Sequence, residues 1–203
     1  MTDDTGQTAQ TPQAQTPPAQ TPPAQTPPAQ TPPAQAPFTS IVQRGLFYEE
    51  FDLTARYMHR PGRTITEADN VLFSTMTMNP QSLHLDAAFA AGQPFGQRLV
   101  NSMLTLSTLV GASVAQLTQG TLVANLGFGA IAFPRPLFHG DTLYSETVVS
   151  AKRLSGSRPG QGIVTLEHTG RNQHGDIVAT ASRTTLVWCI DSAPASADDA
   201  RDV

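Results

Sequence analysis

The chain has 203 residues, a formal net charge of −4 and a single cysteine. This length gives room for one domain of ordinary size together with some tail. The small negative charge leaves no basic footprint for nucleic acid or an anionic membrane, so we expect neither as a partner. The lone Cys189 excludes a disulfide within the chain and is compatible with a reducing compartment.

The N-terminus and one uncharged stretch bear on the location of the protein. Residues 1–4 are acidic and lack the basic and apolar regions of a signal peptide, so we expect a cytoplasmic protein. Residues 99–134 contain no charged residue and no histidine, and the part up to residue 117 has about the length of a membrane span. Polar side chains interrupt that part and favour a helix buried in a globular domain: Asn101, Ser102, Thr105, Ser107, Thr108, Ser113 and Gln116.

Residues 11–35 are five tandem pentapeptides, Thr-Pro-Gln-Ala-Gln once and then Thr-Pro-Pro-Ala-Gln four times. Proline fixes φ and removes a backbone donor, so this segment cannot join a helix or a sheet. We predict a disordered Pro-rich tail over residues 1–46, a folded domain over residues 47–190 and a flexible tail over residues 191–203. A spacer is the favoured role of the repeats, with a ligand for an aromatic groove as the alternative.

The first half of the domain is predicted to contain one strand and two helices. Residues 47–51 are typical of a first strand, and Thr66 suits the N-cap of a helix with acidic residues in its first turn. That helix leads to a turn at Asn79. A short helix is then predicted over residues 87–91, with Asp86 as its N-cap.

The second half is predicted to contain one long helix followed by strands. Residues 99–119 are apolar around most of a helical circumference, which indicates a helix enclosed by other structure. Turns are predicted at residues 157–160 and 172–176. An α+β domain follows, with an antiparallel sheet wrapped around one helix. Its strands are the segments rich in β-branched and aromatic residues, at 122–128, 143–149, 162–169 and 179–188.

The turn from Asn79 to Asp86 is the first candidate for a functional site, because Asn79 and His84 bracket a proline on a loop between regular elements. The residues of this turn also match part of a known family motif. His84, Asp86 and the pair Phe89-Ala90 match a family motif of the form Asp-x-Asn-Pro-x-His-x-Asp followed by Phe-Ala. Further matches are Met103 at the head of the long helix and the segment Phe-Pro-Arg-Pro-Leu-Phe-His-Gly-Asp at residues 133–141. Together these segments resemble the MaoC-like, R-specific enoyl-CoA hydratases of the hotdog fold.

The resemblance implies a single hotdog domain and also shows three departures from the family. Counted back from His84, the catalytic aspartate of the family falls on Asn79, its His-Gly pair on Asn101 and Ser102, and its helix serine on Val110. A neutral amide cannot accept a proton at pH 7 and can only hold a water molecule. Asparagine here is similar to the branch of the family that acts on mesaconyl-CoA or methylmalyl-CoA.

Hydration of a 2-enoyl thioester, the activity that the resemblance implies, needs a base for water, an acid for the α-carbon and donors for the enolate oxygen. We hypothesise that His84 is the base and that Asn79 positions the water, which also supplies the α-proton. The backbone N–H of Ser102, at the start of the central helix, would stabilise the oxyanion.

The expected substrate contacts are Asn101, Met103, Phe89 and Arg98. The candidates for the phosphates of CoA share a positive charge, and they are Arg98, Arg135, Lys152 and Arg153. No metal or cofactor is expected, because the other histidines lack metal-ligand spacing and no phosphate-binding glycine loop is present. CoA would bind near the boundary of a homodimer, which is the assembly that the resemblance implies.

Each candidate also has a structural alternative. His84 could be a hydrogen-bonding residue of the turn, Asn79 a turn former, and Asp86 only a helix cap. A turn role is favoured for His139 and Asp141. The alternative functions are a hotdog thioesterase, disfavoured by the lack of a carboxylate in the long helix, and a catalytically silent acyl-CoA-binding module.

Overall fold

Five strands and four α-helices make up the part of the chain, residues 41–194, that this computed structural model describes. The predicted repeats at 11–35 and the last nine residues lie outside the described residues. The helices are α1 (Glu67–Met76), α2 (Ser82–Leu85), α3 (Ala87–Ala91) and α4 (Ser102–Leu117). The strands are β1 (Arg56–Thr64), β2 (Leu122–Ala132), β3 (Thr142–Leu154), β4 (Gln161–Arg171) and β5 (Ile177–Trp188). Short 3-10 helices cover Tyr48–Glu50 and Ile190–Ser192.

The strands form one antiparallel sheet in the order β1-β3-β4-β5-β2. Strands β3, β4 and β5 form a meander, and its two turns lie where they were predicted, at residues 157–160 and 172–176. Strands β1 and β2 occupy the two edges of the sheet. The predicted α+β architecture, a sheet around one long helix, is therefore confirmed.

Helix α4 packs on the inner face of this sheet. Its buried residues recur every four positions, at Thr105, Leu109, Ser113 and Leu117, which places them on one side of the helix. Leu109 and Leu117 belong to the two apolar clusters that form the core between helix and sheet. The opposite side is exposed, with Met103 at 49%. The prediction of a fully enclosed helix is therefore wrong, because the sheet covers only one side.

The predicted strand at residues 47–51 is also wrong. This segment forms a 3-10 turn because Glu50 Oε2 accepts a hydrogen bond from the backbone N–H of Phe47 at 2.8 Å. Arg44 holds the same carboxylate through Nη1 at 2.6 Å. The helix caps were predicted correctly, since Thr66 accepts from Asp69 N and Asp86 accepts from Phe89 N.

None of the helices in residues 41–194 is long and apolar enough to span a membrane.

A chain of buried hydrogen bonds crosses three strands beneath α4. His59 Nδ1 lies 2.8 Å from Gln116 Oε1, His59 Nε2 lies 2.8 Å from Thr147 Oγ1, and Thr147 Oγ1 lies 2.8 Å from His168 Nδ1. An amide oxygen only accepts, so His59 donates from Nδ1; when His59 is neutral, its Nε2 accepts from Thr147, whose oxygen then accepts from His168 Nδ1–H. The lowered pKa values of both histidines favour the neutral forms that this order uses. Burial, reinforced by the charge of Arg183, lowers the pKa of His168 to about 3, and burial lowers that of His59.

These neutral histidines predict a loss of stability in acid. Below the ordinary histidine pKa of 6.5 the unfolded chain binds protons that the folded chain does not, so stability falls as the pH drops from 6.5 towards 3. The limiting slope is about 1.4 kcal/mol per pH unit for each such group. Urea unfolding followed by circular dichroism between pH 7 and 5 measures it. His168→Gln should reduce the slope and the exposed His174→Gln should not; equal slopes for all three proteins would contradict the assignment.

Candidate active site

The turn after α1 is shaped by Asn79. The backbone N–H of Asn79 donates to Ser74 O at 2.8 Å, and Met78 before it takes a left-handed conformation with φ of 56°. Asn79 Oδ1 accepts from the backbone N–H of Gln81 at 3.2 Å, which is the arrangement of an Asx turn. The oxygen of Asn79 therefore has a structural role, and α2 begins at Ser82, directly after Gln81.

The half-buried His84 on α2 holds a defined tautomer. Its Nδ1 lies 3.0 Å from the backbone oxygen of Leu99. A carbonyl oxygen only accepts, so Nδ1 carries a hydrogen, and in the neutral imidazole Nε2 then carries the lone pair. Within residues 41–194 no group bonds to Nε2, which leaves it open to a substrate or a water molecule. A neutral imidazole held in this way presents Nε2 as its acceptor.

The N-terminus of α4 lies directly after Leu99. Asn101 is the N-cap, and its Oδ1 accepts from Met103 N at 2.9 Å. The next amide, Ser102 N–H, has no acceptor in the described part of the chain. Unbonded amides and the dipole of a 16-residue helix make this end favourable for negative charge.

A cavity of about 230 Å³ opens at this end of α4. We call it the α4 cavity. Ser102 and Thr105 line it from the first turn of the helix, and Arg135 lies at its edge. Apolar and proline side chains form the rest of its wall: Phe95, Leu99, Val100, Phe133, Pro134, Pro136, Leu137 and Val178. An apolar wall with a few convergent polar groups is typical of a small-molecule site.

Of the three predicted catalytic residues only Ser102 lines the α4 cavity, and His84 is linked to it through Leu99. His84 bonds to Leu99, and Leu99 lines the α4 cavity together with Ser102. Asn79 instead lines a separate depression of about 390 Å³ with Ser74, Thr75, Met78, Pro80 and Leu85.

The predicted substrate contacts lie in different settings. Asn101 is buried, and its Nδ2 donates to Ser74 Oγ at 3.2 Å, so both ends of its amide are used within the protein. Met103 and Phe89 are exposed at 49% and 44%. Arg98 is paired with the carboxylate of Glu67.

Two of the basic candidates for the CoA phosphates differ sharply in their surroundings. Lys152 donates to three backbone oxygens, the shortest bond reaching Phe51 O at 2.6 Å, so it is engaged in the fold. Arg135, by contrast, is 62% exposed at the edge of the α4 cavity and pairs with Asp176 at 2.7 Å.

The residue that sequence reasoning missed is Asn70, on the buried side of α1. Its Nδ2 lies 3.2 Å from His84 O, 3.1 Å from Leu99 O and 3.0 Å from His139 Nε2. Its Oδ1 accepts from Asn101 N at 2.8 Å. The available signal was an uncharged amide on the helix face that α1 buries, where an apolar residue is the usual choice.

The turn role favoured for Asp141 agrees with the structure, whereas His139 bonds to Asn70 of α1 and not within its turn. Asp141 Oδ2 accepts from Phe138 N at 2.8 Å, and His139 Nε2 accepts from Asn70. Burial and the nearby charge of Arg98 lower the pKa of His139. Within residues 41–194, no group of three His, Cys, Asp or Glu side chains is placed to hold a metal ion.

An antiparallel sheet that curves around one long helix, with a cavity at the helix N-terminus, defines a hotdog-fold protein. A sequence model of the family described as MaoC like domain matches residues 51–172. The chain therefore belongs to the MaoC-like domain family.

Solved structures of similar fold support this membership. The monoamine oxidase regulatory protein from Archaeoglobus fulgius is 28% identical with a TM-score of 0.66, and the match covers 73% of this chain and 99% of that one. A MaoC domain dehydratase protein from Chloroflexus aurantiacus is 27% identical with a TM-score of 0.70, covering 78% of this chain and 45% of that one.

Curated relatives include two proteins named for CoA thioester chemistry. The beta-methylmalyl-CoA dehydratase of Chloroflexus aurantiacus is 29% identical over 144 residues, which is 70% of this chain and 40% of the relative. The mesaconyl-CoA hydratase of Cereibacter sphaeroides is 28% identical over 150 residues, which is 73% of this chain and 43% of the relative. The matched part of this chain spans about two-fifths of the length of these relatives.

The Asx turn predicts unequal effects of two substitutions at Asn79. Asn79→Ala removes the acceptor for Gln81 N and should lower the free energy of unfolding by about 1 kcal/mol. Asn79→Asp keeps an oxygen at the same place and should retain most of the stability. Urea denaturation measures both, with the exposed Gln97→Ala as a control. Wild-type stability of Asn79→Ala would contradict a role in the turn.

Proposed function

We propose that this protein catalyses the reversible hydration of a 2-enoyl-CoA thioester. The observation that carries the proposal is the tautomer of His84, whose Nδ1–H is bound to Leu99 O and whose Nε2 is left as an acceptor. Leu99 also lines the α4 cavity, into which the free amide at the start of α4 can donate. A base and an oxyanion donor held by one short segment suit the addition of water to an unsaturated thioester.

The reaction follows from these two groups. His84 Nε2 takes a proton from water, and the water oxygen forms a bond to the β-carbon of the enoyl group. The electron pair of the double bond moves to the thioester oxygen, where the N–H of Ser102 and the helix dipole stabilise the enolate. The imidazolium then returns the proton of that water to the α-carbon on the same face.

The proposed role of Asn79 is to hold a water molecule through its side-chain nitrogen. Its Oδ1 is already bonded to Gln81 N, so only Nδ2 can hold a water molecule without loss of the turn. Neither His84 nor Asn79 is part of the wall of the α4 cavity, but His84 is bonded to Leu99 of that wall, which supports His84 as the group that transfers the proton.

The proposed substrate is an acyl-CoA, and two observations support this class. The named relatives act on mesaconyl-CoA or methylmalyl-CoA. Arg135, exposed at the edge of the α4 cavity, offers a guanidinium to a phosphate of CoA. A mesaconyl-type acyl group is the first one to test.

The proposal predicts turnover that depends on His84. With purified protein, the absorbance of the enoyl thioester should decrease for crotonyl-CoA or mesaconyl-CoA. His84→Ala should lower kcat by about 100-fold or more, because a general base contributes about 10² to 10⁴. His174→Ala, in an exposed turn, is the matched control and should keep wild-type activity.

Two other outcomes have separate meanings. Release of a free thiol without loss of the double bond would replace hydration by thioester hydrolysis. Binding of acyl-CoA with no turnover of either thioester would overturn the proposal in favour of a silent binding module.

We also propose a homodimer formed along β2. This edge strand has no charged residue, and Leu126, Phe128 and Ile131 are 51%, 40% and 39% exposed. An edge of this length and polarity is a template for pairing with another strand. The matched relatives are more than twice as long as the matched part of this chain, which supports a second domain beside the first.

Light scattering coupled to gel filtration tests the dimer. Wild-type protein should have twice the mass of one chain at micromolar concentration. Leu126→Lys should give a single chain, because a charge on the edge opposes strand pairing. Leu154→Lys, at an exposed apolar residue at the end of β3, should remain a dimer. A wild-type protein that elutes as a single chain would contradict the assembly.

A further inference from the structure

The side chain of Asn70 joins three segments of the candidate active site, through its bonds to His84, Leu99 and Asn101. This side chain is fully buried, at 0% exposure. It belongs to α1, and no residue of α1 lines the α4 cavity. We propose that Asn70 is a positioning residue that fixes the tautomer and the orientation of the His84 imidazole. The inference rests on the proposed function for its effect on catalysis, whereas the tautomer itself can be measured without turnover.

Asn70 bonds to two backbone carbonyl groups next to the imidazole of His84. Its Nδ2 reaches the backbone oxygen of His84 at 3.2 Å and that of Leu99 at 3.1 Å. Leu99 O is also the acceptor of His84 Nδ1–H. One amide group therefore sets the distance between the backbone that carries the imidazole and the oxygen that selects its tautomer.

Asn70 also bonds to the N-terminus of α4. Asn70 Oδ1 accepts from Asn101 N at 2.8 Å, and the next amide along the chain is the free N–H of Ser102. The same side chain thus fixes the proposed base relative to the proposed oxyanion donor. A shift of about 1 Å between such groups can cost about 100-fold in rate.

Asparagine at position 70 supplies both the donors and the acceptor that these bonds need. Nδ2 has two hydrogens and three acceptors within reach, the third being His139 Nε2 at 3.0 Å, so the nitrogen is fully engaged. Aspartate would keep the acceptor for Asn101 N but lose both donors. Glutamine would add a methylene where no space is left, and leucine would leave two carbonyl oxygens without these bonds.

The protonation state of His139 is part of this arrangement. Its Nε2 accepts from Asn70 and must therefore be unprotonated. Arg98, Glu67 and His84 are the charged or titratable groups that act on His139. A neutral His139 completes the set of acceptors that orients the amide of Asn70.

Kinetics give the first test. Asn70→Ala should lower kcat by about 100-fold and change KM by less than about threefold, because the substrate still binds while the base is misplaced. Asn70→Asp, which has the size of the native residue, is the second variant in case the cavity left by alanine prevents folding. Thr185→Val is the matched control, since Thr185 is also fully buried and donates to Val164 O on a remote part of the sheet. It should lose stability and keep its kcat.

The tautomer gives the second test, independent of activity. Protein labelled with ¹⁵N-histidine should show His84 with a protonated Nδ1 and an unprotonated Nε2 at pH 8, with the resonances assigned by His84→Gln. Asn70→Ala or Asn70→Asp should shift His84 towards a mixture of tautomers, and Thr185→Val should not. A folded Asn70 variant with the wild-type tautomer would overturn the inference. If the wild type is inactive but the tautomer depends on Asn70, the proposed function fails and the positioning role stands.

Discussion

The structure depends on the burial of one side of α4 against the inner face of the sheet. Leu109 and Leu117 on that side join the two apolar clusters, and their removal from water is the main favourable contribution to the packing of helix on sheet. Polar residues on the same side find partners instead of solvent. Ser113 donates to Val110 O, and Ser145 of β3 donates to Leu109 O. The fixed helix then determines where its N-terminus lies.

The candidate site uses that fixed end, but the residues that complete it come from elsewhere. The short helices before α4 expose much of their surface and contribute one buried residue, Ala90, to the core. Hydrogen bonds to Asn70 therefore have to replace apolar packing as the constraint on His84. A hydrogen bond fixes direction as well as distance, whereas apolar contact fixes only distance. Such directional constraint is what a base needs if it is to keep one tautomer.

The sequence predicts the elements whose signals are local. The caps at Thr66 and Asp86 depend on residues three positions away, and β2 to β5 were predicted from their composition and alternation, whereas β1, whose burial does not alternate, was not predicted. It does not predict Asn70, because all its partners except His84 lie about 30 or more residues further along the chain. The turn at Tyr48–Glu50 was missed for a related reason: a carboxylate bond to Phe47 N overrides the strand preference of aromatic residues.

The position of β2 in the sheet has a consequence for the order of folding. The β3-β4-β5 meander closes over short turns, with Leu154 opposite Gly162 and Arg171 opposite Ile177. Strand β2 pairs instead with β5, which lies far along the chain, since Leu122 is opposite Val187. Loop closure costs more entropy over longer spans, so we expect β2 to dock after the meander has formed. During synthesis the uncharged edge of β2 would then be held in extended form, able to pair with another strand, only when the domain is nearly complete. Pairing between unfinished chains is limited as a result.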